Sequence, residues 1–411
     1  MRFSLLAIFF AAALSTTSCQ AVPAENAKPE PVYWELDQLA KIRGTVRGTT
    51  RESGPELEEQ IDRLRKLADQ SLARGPYSVT FKEEVPPSGD KHDYLSFSRY
   101  WWPDPAKPDG LPYIRHDGKV NNALRRRGDR DQIGKLSLSV EVYALAAYLF
   151  DEEKYANHAV KLIRTWFLDP KTKMNPHMKF GQGVPGRADG RGVGILDSRG
   201  FIRVLDAVDL LTSEGRYPQK DLEDLKKWFA EYLIWLRTSD LGKDEANASN
   251  NHGSWYAAQT ARIALFVGET EIARDIVEQV QQQRIPEQFM KDGSQPAELK
   301  RTQSLHYSFF NLEALSVVAR IGEKIGVNLW ESTDSNPGLR PGIDFLMPYV
   351  LKQKEWTYQQ MQEFSLSNGT VYLLRMASVR YEDAKYLDPI GKYPHRHPEL
   401  DHALLLFRAT E

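Results

Sequence analysis

The sequence predicts an all-α fold carried by one large domain. Three observations support that prediction. Apolar residues recur at helical spacing in several places, for example Leu136, Val140, Tyr143 and Ala147. Alternating apolar and polar runs of the β type are scarce. No Gly/Ser-rich linker divides the chain after residue 30.

The elements follow in chain order. Met1-Arg2 and the apolar run 5–14 have the pattern of an export signal, too short for a comfortable membrane span. Cys19, the only cysteine of the 411 residues, follows Ser15-Thr16-Thr17-Ser18 and resembles the lipidation cysteine of a bacterial lipoprotein. The alternative is a plain signal peptide cut nearby. Residues 1–19 are therefore read as signal with lipidation at Cys19, residues 20–30 as a Pro-rich tether, and residues 31–411 as the domain. The expected location is exported: periplasmic, or on the outer membrane of a Gram-negative bacterium.

Helices are expected near 55–74, 198–212, 253–267, 270–284, 303–323, 341–352 and 356–378. Two further stripes are Tyr155, Ala159, Leu162, Trp166 and Leu222, Leu225, Phe229, Leu233, Leu236. Many helices with short connections suggest hairpins packed in sequence. Two long segments break the pattern. Segment 86–130 carries Tyr94, Tyr100, Trp101, Trp102 and Tyr113, and segment 169–197 is rich in Gly, Asn and Asp. Long irregular segments in a compact domain are often functional. Aromatic-rich ones suit sugars, whose C–H faces pack on indole and phenol rings; the same aromatics could also simply close one end of the core.

Composition narrows the function. A net charge of −2 argues against a general nucleic-acid binder. With Cys19 alone, the domain has no internal disulfide and no cysteine nucleophile. The nine histidines form no HExxH motif; His395, His397, Asp401 and His402 come nearest to metal spacing and read as structural, so neither metal nor other cofactor is expected.

Three stretches concentrate chemistry: Asn250-Asn251-His252-Gly253-Ser254-Trp255-Tyr256, Glu298 to Tyr307, and the aromatic loop from Ser98 to Arg115. Amide, imidazole and guanidinium donors can neutralise a carboxylate so that charge develops beside it. A tyrosine or histidine can move a proton. Asn251, His252 and Arg301 suit the first task, and Tyr307 and His252 the second. Arg301 and Tyr307 could share one helix face, where the guanidinium would favour ionisation of the phenol. Singly, each residue has a structural reading: Asn250-Asn251 as a helix N-cap, His252 as a hydrogen-bonded histidine, Arg301 as a surface charge, Tyr307 as core.

Taken together and in this order, Asn250-Asn251-His252, Lys300-Arg301…His306-Tyr307 and the aromatic loop resemble the alginate-lyase superfamily. The likeness is closest to polysaccharide lyase family 38 and more distant to family 5, where the tyrosine lies one residue further from the arginine. The resemblance implies an α/α toroid, an incomplete barrel of helical hairpins. It implies a lyase that cleaves a uronic-acid polymer by β-elimination: alginate, with a mannuronate-rich preference, or glucuronan. Asn251 would bind and neutralise the substrate carboxylate. His252 would assist and, for one proton orientation, act as base. Arg301 would hold the carboxylate and lower the pKa of Tyr307. Tyr307 would be the acid, and also the base when the C5 proton and leaving oxygen share a face. Arg99, Tyr100, Trp101, Trp102, Gln182, Arg187 and Asn250 would contact substrate. The partner is thus an anionic polysaccharide, not nucleic acid, with membrane contact only through the lipid anchor. Two rivals remain: a toroidal glycoside hydrolase using a carboxylate pair such as Asp189 and Asp197, and a glycan-binding lipoprotein without catalysis.

Overall fold

A computed structural model describes residues 30–50, 54–333, 336–396 and 405. The signal, Cys19, the tether up to residue 29, and His397, Asp401 and His402 lie outside the described residues.

The helices are α1 (Leu36–Val46), α2 (Pro55–Ser71), α3 (Asn122–Arg125), α4 (Arg130–Phe150), α5 (Glu153–Ile163), α6 (Phe201–Ser213), α7 (Gln219–Thr238) and α8 (Asp240–Ala246). They continue with α9 (Asn251–Val267), α10 (Thr270–Gln279), α11 (Ile285–Gln288), α12 (Pro296–Leu299), α13 (Ser304–Ile325), α14 (Arg340–Val350) and α15 (Asn368–Arg380). Apolar patterning sorts them into two layers. In α4, α6, α9 and α13 buried residues lie on nearly every face. A helix apolar all round must be enclosed. These four contact one another in the order α4, α6, α9, α13, and α15 follows on α13. Tyr372 of α15 then reaches back, its hydroxyl donating to Glu141 of α4 at 3.4 Å. The outer helices α5, α7 and α10 bury one stripe each against this ring. The architecture is the α/α toroid.

Polar groups in the core tie the ring together. Asp206 of α6 accepts from the backbone of Val32 and Tyr33 (3.0 and 2.6 Å) and from Arg262 of α9 (3.0 Å). Arg320 of α13 donates to the Val32 carbonyl at 3.1 Å. Such enclosed charges are tolerable because each has a partner.

One expected helix is corrected. Of 356–378, only the part from Asn368 on is helical. Residues 356–366 instead lie along the start of α13: Ser304 N donates to the Gln359 carbonyl (3.1 Å) and Met361 N to the Thr302 carbonyl (2.9 Å). Those partners satisfy backbone groups that a helix would have paired internally. Ser367 then caps α15, its hydroxyl accepting from Thr370 N at 2.9 Å.

The two long irregular segments meet each other. Within them lie β1 (Leu95–Phe97), β2 (Trp101–Trp102), β3 (Ile114–Arg115) and β4 (Phe180–Gly183). Strand β1 runs parallel to β4, and β2 pairs antiparallel with β3 so that Trp101 faces Arg115. Both segments thereby reach one rim of a cleft at the end of the helical ring.

Candidate active site

The cleft has a volume of about 550 Å³. Several parts of the chain build it. The rim supplies Ser98, Arg99, Tyr100, Trp101, Arg115, Gln182 and Arg191; the start of α9 supplies Asn251 and His252, preceded by Asn250; Arg301 precedes α13; and α13 supplies His306, Tyr307, Phe310 and Glu313. On α13 these follow spacings of three and four, so a polar stripe of an otherwise buried helix faces the cleft.

Asn250 positions the second group. Its side-chain oxygen accepts from His252 N at 3.2 Å and starts α9. This fixes Asn251 and His252 in the first turn. The imidazole Nδ1 of His252 lies 2.7 Å from Oε1 of Glu245, a buried residue of α8. A carboxylate there takes the Nδ1 hydrogen and leaves Nε2 with its lone pair. Asn251 is fully buried. Its Nδ2 donates to both oxygens of Glu298 (3.0 and 2.8 Å), and its backbone N donates to Oε1 at 2.6 Å. Its Oδ1 has no partner. With the amide oriented this way, its hydrogens serve Glu298 rather than the cleft.

Arg301 and Tyr307 do meet, although Arg301 lies in the bend before α13 and not on a face of the helix. The guanidinium carbon sits 3.8 Å from the centre of the tyrosine ring. Asp117, on the turn after β3, holds Arg301 from the other side (Nη2–Oδ1 3.2 Å). The Tyr307 hydroxyl is 3.1 Å from that of Tyr100. Burial and Tyr100 push Tyr307 up to about 12, although Arg301 and Arg99 pull it down. Arg301 therefore acts in the expected direction but does not prevail, and the phenol stays protonated near neutrality.

The cleft is strongly cationic. Arg99, Arg115, Arg130, Arg191, Arg199, Arg301 and Arg396 line it, against one carboxylate, Glu313. Arg115 and Arg301 pair with Asp117, and Arg130 with Asp197. No ion pair forms at Arg99, Arg191, Arg199 or Arg396 among the described residues. The chain as a whole has a net charge of only −2, so this field is a local concentration.

Several sequence expectations need correction. Arg187 lies outside the cleft, its Nε donating to the Tyr113 carbonyl at 2.7 Å while the guanidinium approaches Trp101. Trp102 is also outside; the two-residue alternation of a strand turns it away from Trp101, and its Nε1 donates to the Lys119 carbonyl at 3.1 Å. Gln182 lines the cleft but gives its amide to Asp197 (3.0 Å). Asp197 itself is enclosed, accepts from Tyr94, Ser96 and Gln182, and pairs with Arg130. Asp189 lines a different groove, so the carboxylate pair suggested for a hydrolase is not assembled. Among the described residues no cluster of three His, Cys, Asp or Glu could hold a metal ion.

Sequence reasoning missed Arg130, Arg199, Glu313, Arg396 and Glu245. Only Glu313 left a local signal, as a polar residue on the Tyr307 stripe of an apolar helix.

Known proteins agree with this architecture. The family model described as alginate lyase matches residues 78–356. A crystal structure of an alginate lyase from Bacteroides ovatus aligns with a TM-score of 0.84 and 34 % identity, covering 92 % of this chain and 99 % of that one. Alginate lyase A1-III from Sphingomonas species A1 shares the fold at a TM-score of 0.59 and 16 % identity, over 93 % of this chain and 97 % of its own. A variant of A1-III complexed with a tetrasaccharide aligns at 0.60 and 16 %, over 94 % and 98 %. No curated protein sequence matches the chain. A family match over most of the domain and a structural relative at 34 % identity along nearly the whole chain make one assignment: the chain belongs to the alginate lyase family.

Proposed function

We propose that this protein is a polysaccharide lyase that cleaves alginate, with glucuronan as a related substrate, by β-elimination. The observation that carries the reading is the convergence of Arg301, Tyr307 and His252 on one arginine-lined cleft.

Each residue has a task in that chemistry. The substrate carboxylate would lie against Arg301, whose charge favours the enolate-like form that develops when the C5 proton leaves. Nε2 of His252 takes that proton when it faces α9. The Tyr307 hydroxyl, protonated at the outset, donates to O4 as the C4–O4 bond breaks, giving the C4–C5 double bond. Where the C5 proton and O4 share a face, Tyr307 would serve both steps only from its phenolate, taking the C5 proton and then delivering it to O4. Glu298 governs Asn251. As a carboxylate it takes the amide hydrogens; protonated, it would donate to Oδ1 and the amide would turn its NH2 toward the substrate. Burial pushes Glu298 up, while the hydrogen bonds from Asn251 pull it down.

The test is the rise in near-ultraviolet absorbance from the unsaturated product on polymannuronate, polyguluronate and glucuronan, run beside Tyr307→Phe. A rise lost in the variant supports the reading and ranks the substrates, with mannuronate-rich polymer expected first. New saturated reducing ends without absorbance would point to hydrolysis instead. An exported lipoprotein anchored at Cys19 is proposed from the sequence alone; fatty-acid labelling that persists in Cys19→Ser would contradict it.

A further inference from the structure

The cleft continues past the proposed catalytic group. Phe310 and Glu313 line it three and six residues beyond Tyr307 on the same stripe of α13. At 1.5 Å per residue, Glu313 lies about 9 Å along the helix axis from Tyr307. That end therefore has its own chemistry.

Its chemistry is cationic. Arg130 pairs with Asp197 at 3.3 Å, whose oxygens already accept from other groups, and its Nη1 is buried without a partner. Arg199 donates to the Leu196 carbonyl at 3.1 Å and faces the Phe310 ring at 5.6 Å. Arg396 donates to the Ser365 hydroxyl at 3.0 Å. Neither Arg199 nor Arg396 has a carboxylate in ion-pair range among the described residues. Glu313 lies close enough to both to feel their charge, but outside ion-pair range, and it is engaged with Ser367 and Thr370, each donating to it at 2.6 Å. Arg199 is half-buried without an ion-pair partner among the described residues, Arg130 has only Asp197, and Arg396 is exposed; an arriving anion gives each a further partner.

We propose that Arg130, Arg199 and Arg396 form a second carboxylate subsite, which holds the uronate next to the one at Tyr307. The proposal rests on the lyase reading and sharpens it. A polymer with carboxylates on consecutive sugars fills both ends of the cleft. One that alternates uronate with a neutral or N-acetylated sugar leaves the second end unpaired. The enzyme is therefore selective for continuous uronans, and Phe310 offers an apolar face between the two anion sites.

The experiment combines calorimetry and kinetics. A mannuronate trisaccharide is titrated into Tyr307→Phe, alone and combined with Arg199→Gln or Arg396→Gln; thermal melts check folding, and Arg199→Lys keeps the charge. Charge-assisted contacts of this kind predict affinity losses of roughly ten- to hundred-fold for the glutamine variants, with partial recovery in Arg199→Lys. In the otherwise native enzyme, Arg199→Gln should raise KM on polymannuronate about ten-fold while kcat changes less than three-fold. Hyaluronan, with alternating uronate and N-acetylhexosamine, should be cleaved at least about a hundred-fold less efficiently. Unchanged affinity in both folded glutamine variants, or equal efficiency on hyaluronan, would overturn the subsite. Absence of unsaturated product from the native enzyme on every uronan would instead overturn the lyase reading, and the calorimetric comparison would still decide the subsite.

Discussion

Tyr307 sets the expected pH behaviour. Its phenol is pushed up to about 12 by burial and by Tyr100 at 3.1 Å. At pH 8 only about one molecule in 10⁴ then carries phenolate, and drawing a base from that population would cost roughly 5 kcal/mol. In the proposed mechanism the neutral phenol is thus the working acid, and His252 the base for the C5 epimer whose proton faces it. Tyr307→Phe keeps the ring against Arg301 and removes only the hydroxyl. We expect kcat to fall by about 10² to 10⁴, equivalent to roughly 3–5 kcal/mol, with KM changed less than about three-fold. The assay is the initial rate of near-ultraviolet absorbance from about pH 6 to 10 on polymannuronate and polyguluronate. On at least one polymer, native kcat/KM should level off rather than climb ten-fold per pH unit. A ten-fold climb per unit on both polymers, or a Tyr307→Phe loss smaller than ten-fold, would refute the reasoning.

Other consequences follow from the same structure. Glu245→Gln removes the carboxylate that selects the His252 tautomer; kcat should drop roughly ten- to hundred-fold while KM stays within about two-fold, and unchanged kcat would show that Glu245 is only structural. Lys82 is buried, pairs with Asp129 at 3.1 Å and donates to three carbonyls. Lys82→Met should therefore cost about 3–5 kcal/mol in urea unfolding, and a loss below about 1 kcal/mol would contradict its anchoring of the segment before β1. His306 is pulled down to about 4 by burial and Arg396. Because its folded value lies below the unfolded one, the unfolded chain binds that proton more tightly. Stability should hold above about pH 6.5 and decline toward pH 4, by about 2 kcal/mol after allowing for partial solvent exposure. In His306→Gln the decline should shrink by that amount, and an identical pH dependence would argue against it.

Periodic information was legible in the chain; information carried by distant residues was not. The stripes of α4, α5, α7 and α9 follow from 3.6-residue repetition, because a helix face is written into neighbouring residues. The segment 356–366 escaped that logic because its backbone partners, Thr302 and Ser304, lie more than fifty residues away. Trp101 and Trp102 could not be separated before the β2–β3 pairing placed them on opposite faces.

The site divides in the same way. Asn251, His252, Arg301 and Tyr307 stand in two short stretches whose order and residue types were sufficient to single them out. Their working state was decided only by tertiary neighbours: Tyr100 comes to Tyr307 across 207 positions, Asp117 to Arg301 across 184, and Glu298 to Asn251 across 47. The arginines at the Glu313 end come from the start of α4, the turn before α6 and the segment after α15, so nothing local marks them as a group. Sequence alone pointed to the alginate lyase family and its helical fold, because helix periodicity and short motifs are local. Which groups are neutral, which face the cleft and where a second charge can bind are set by burial and by charges brought together across the fold, and only the tertiary structure decides them.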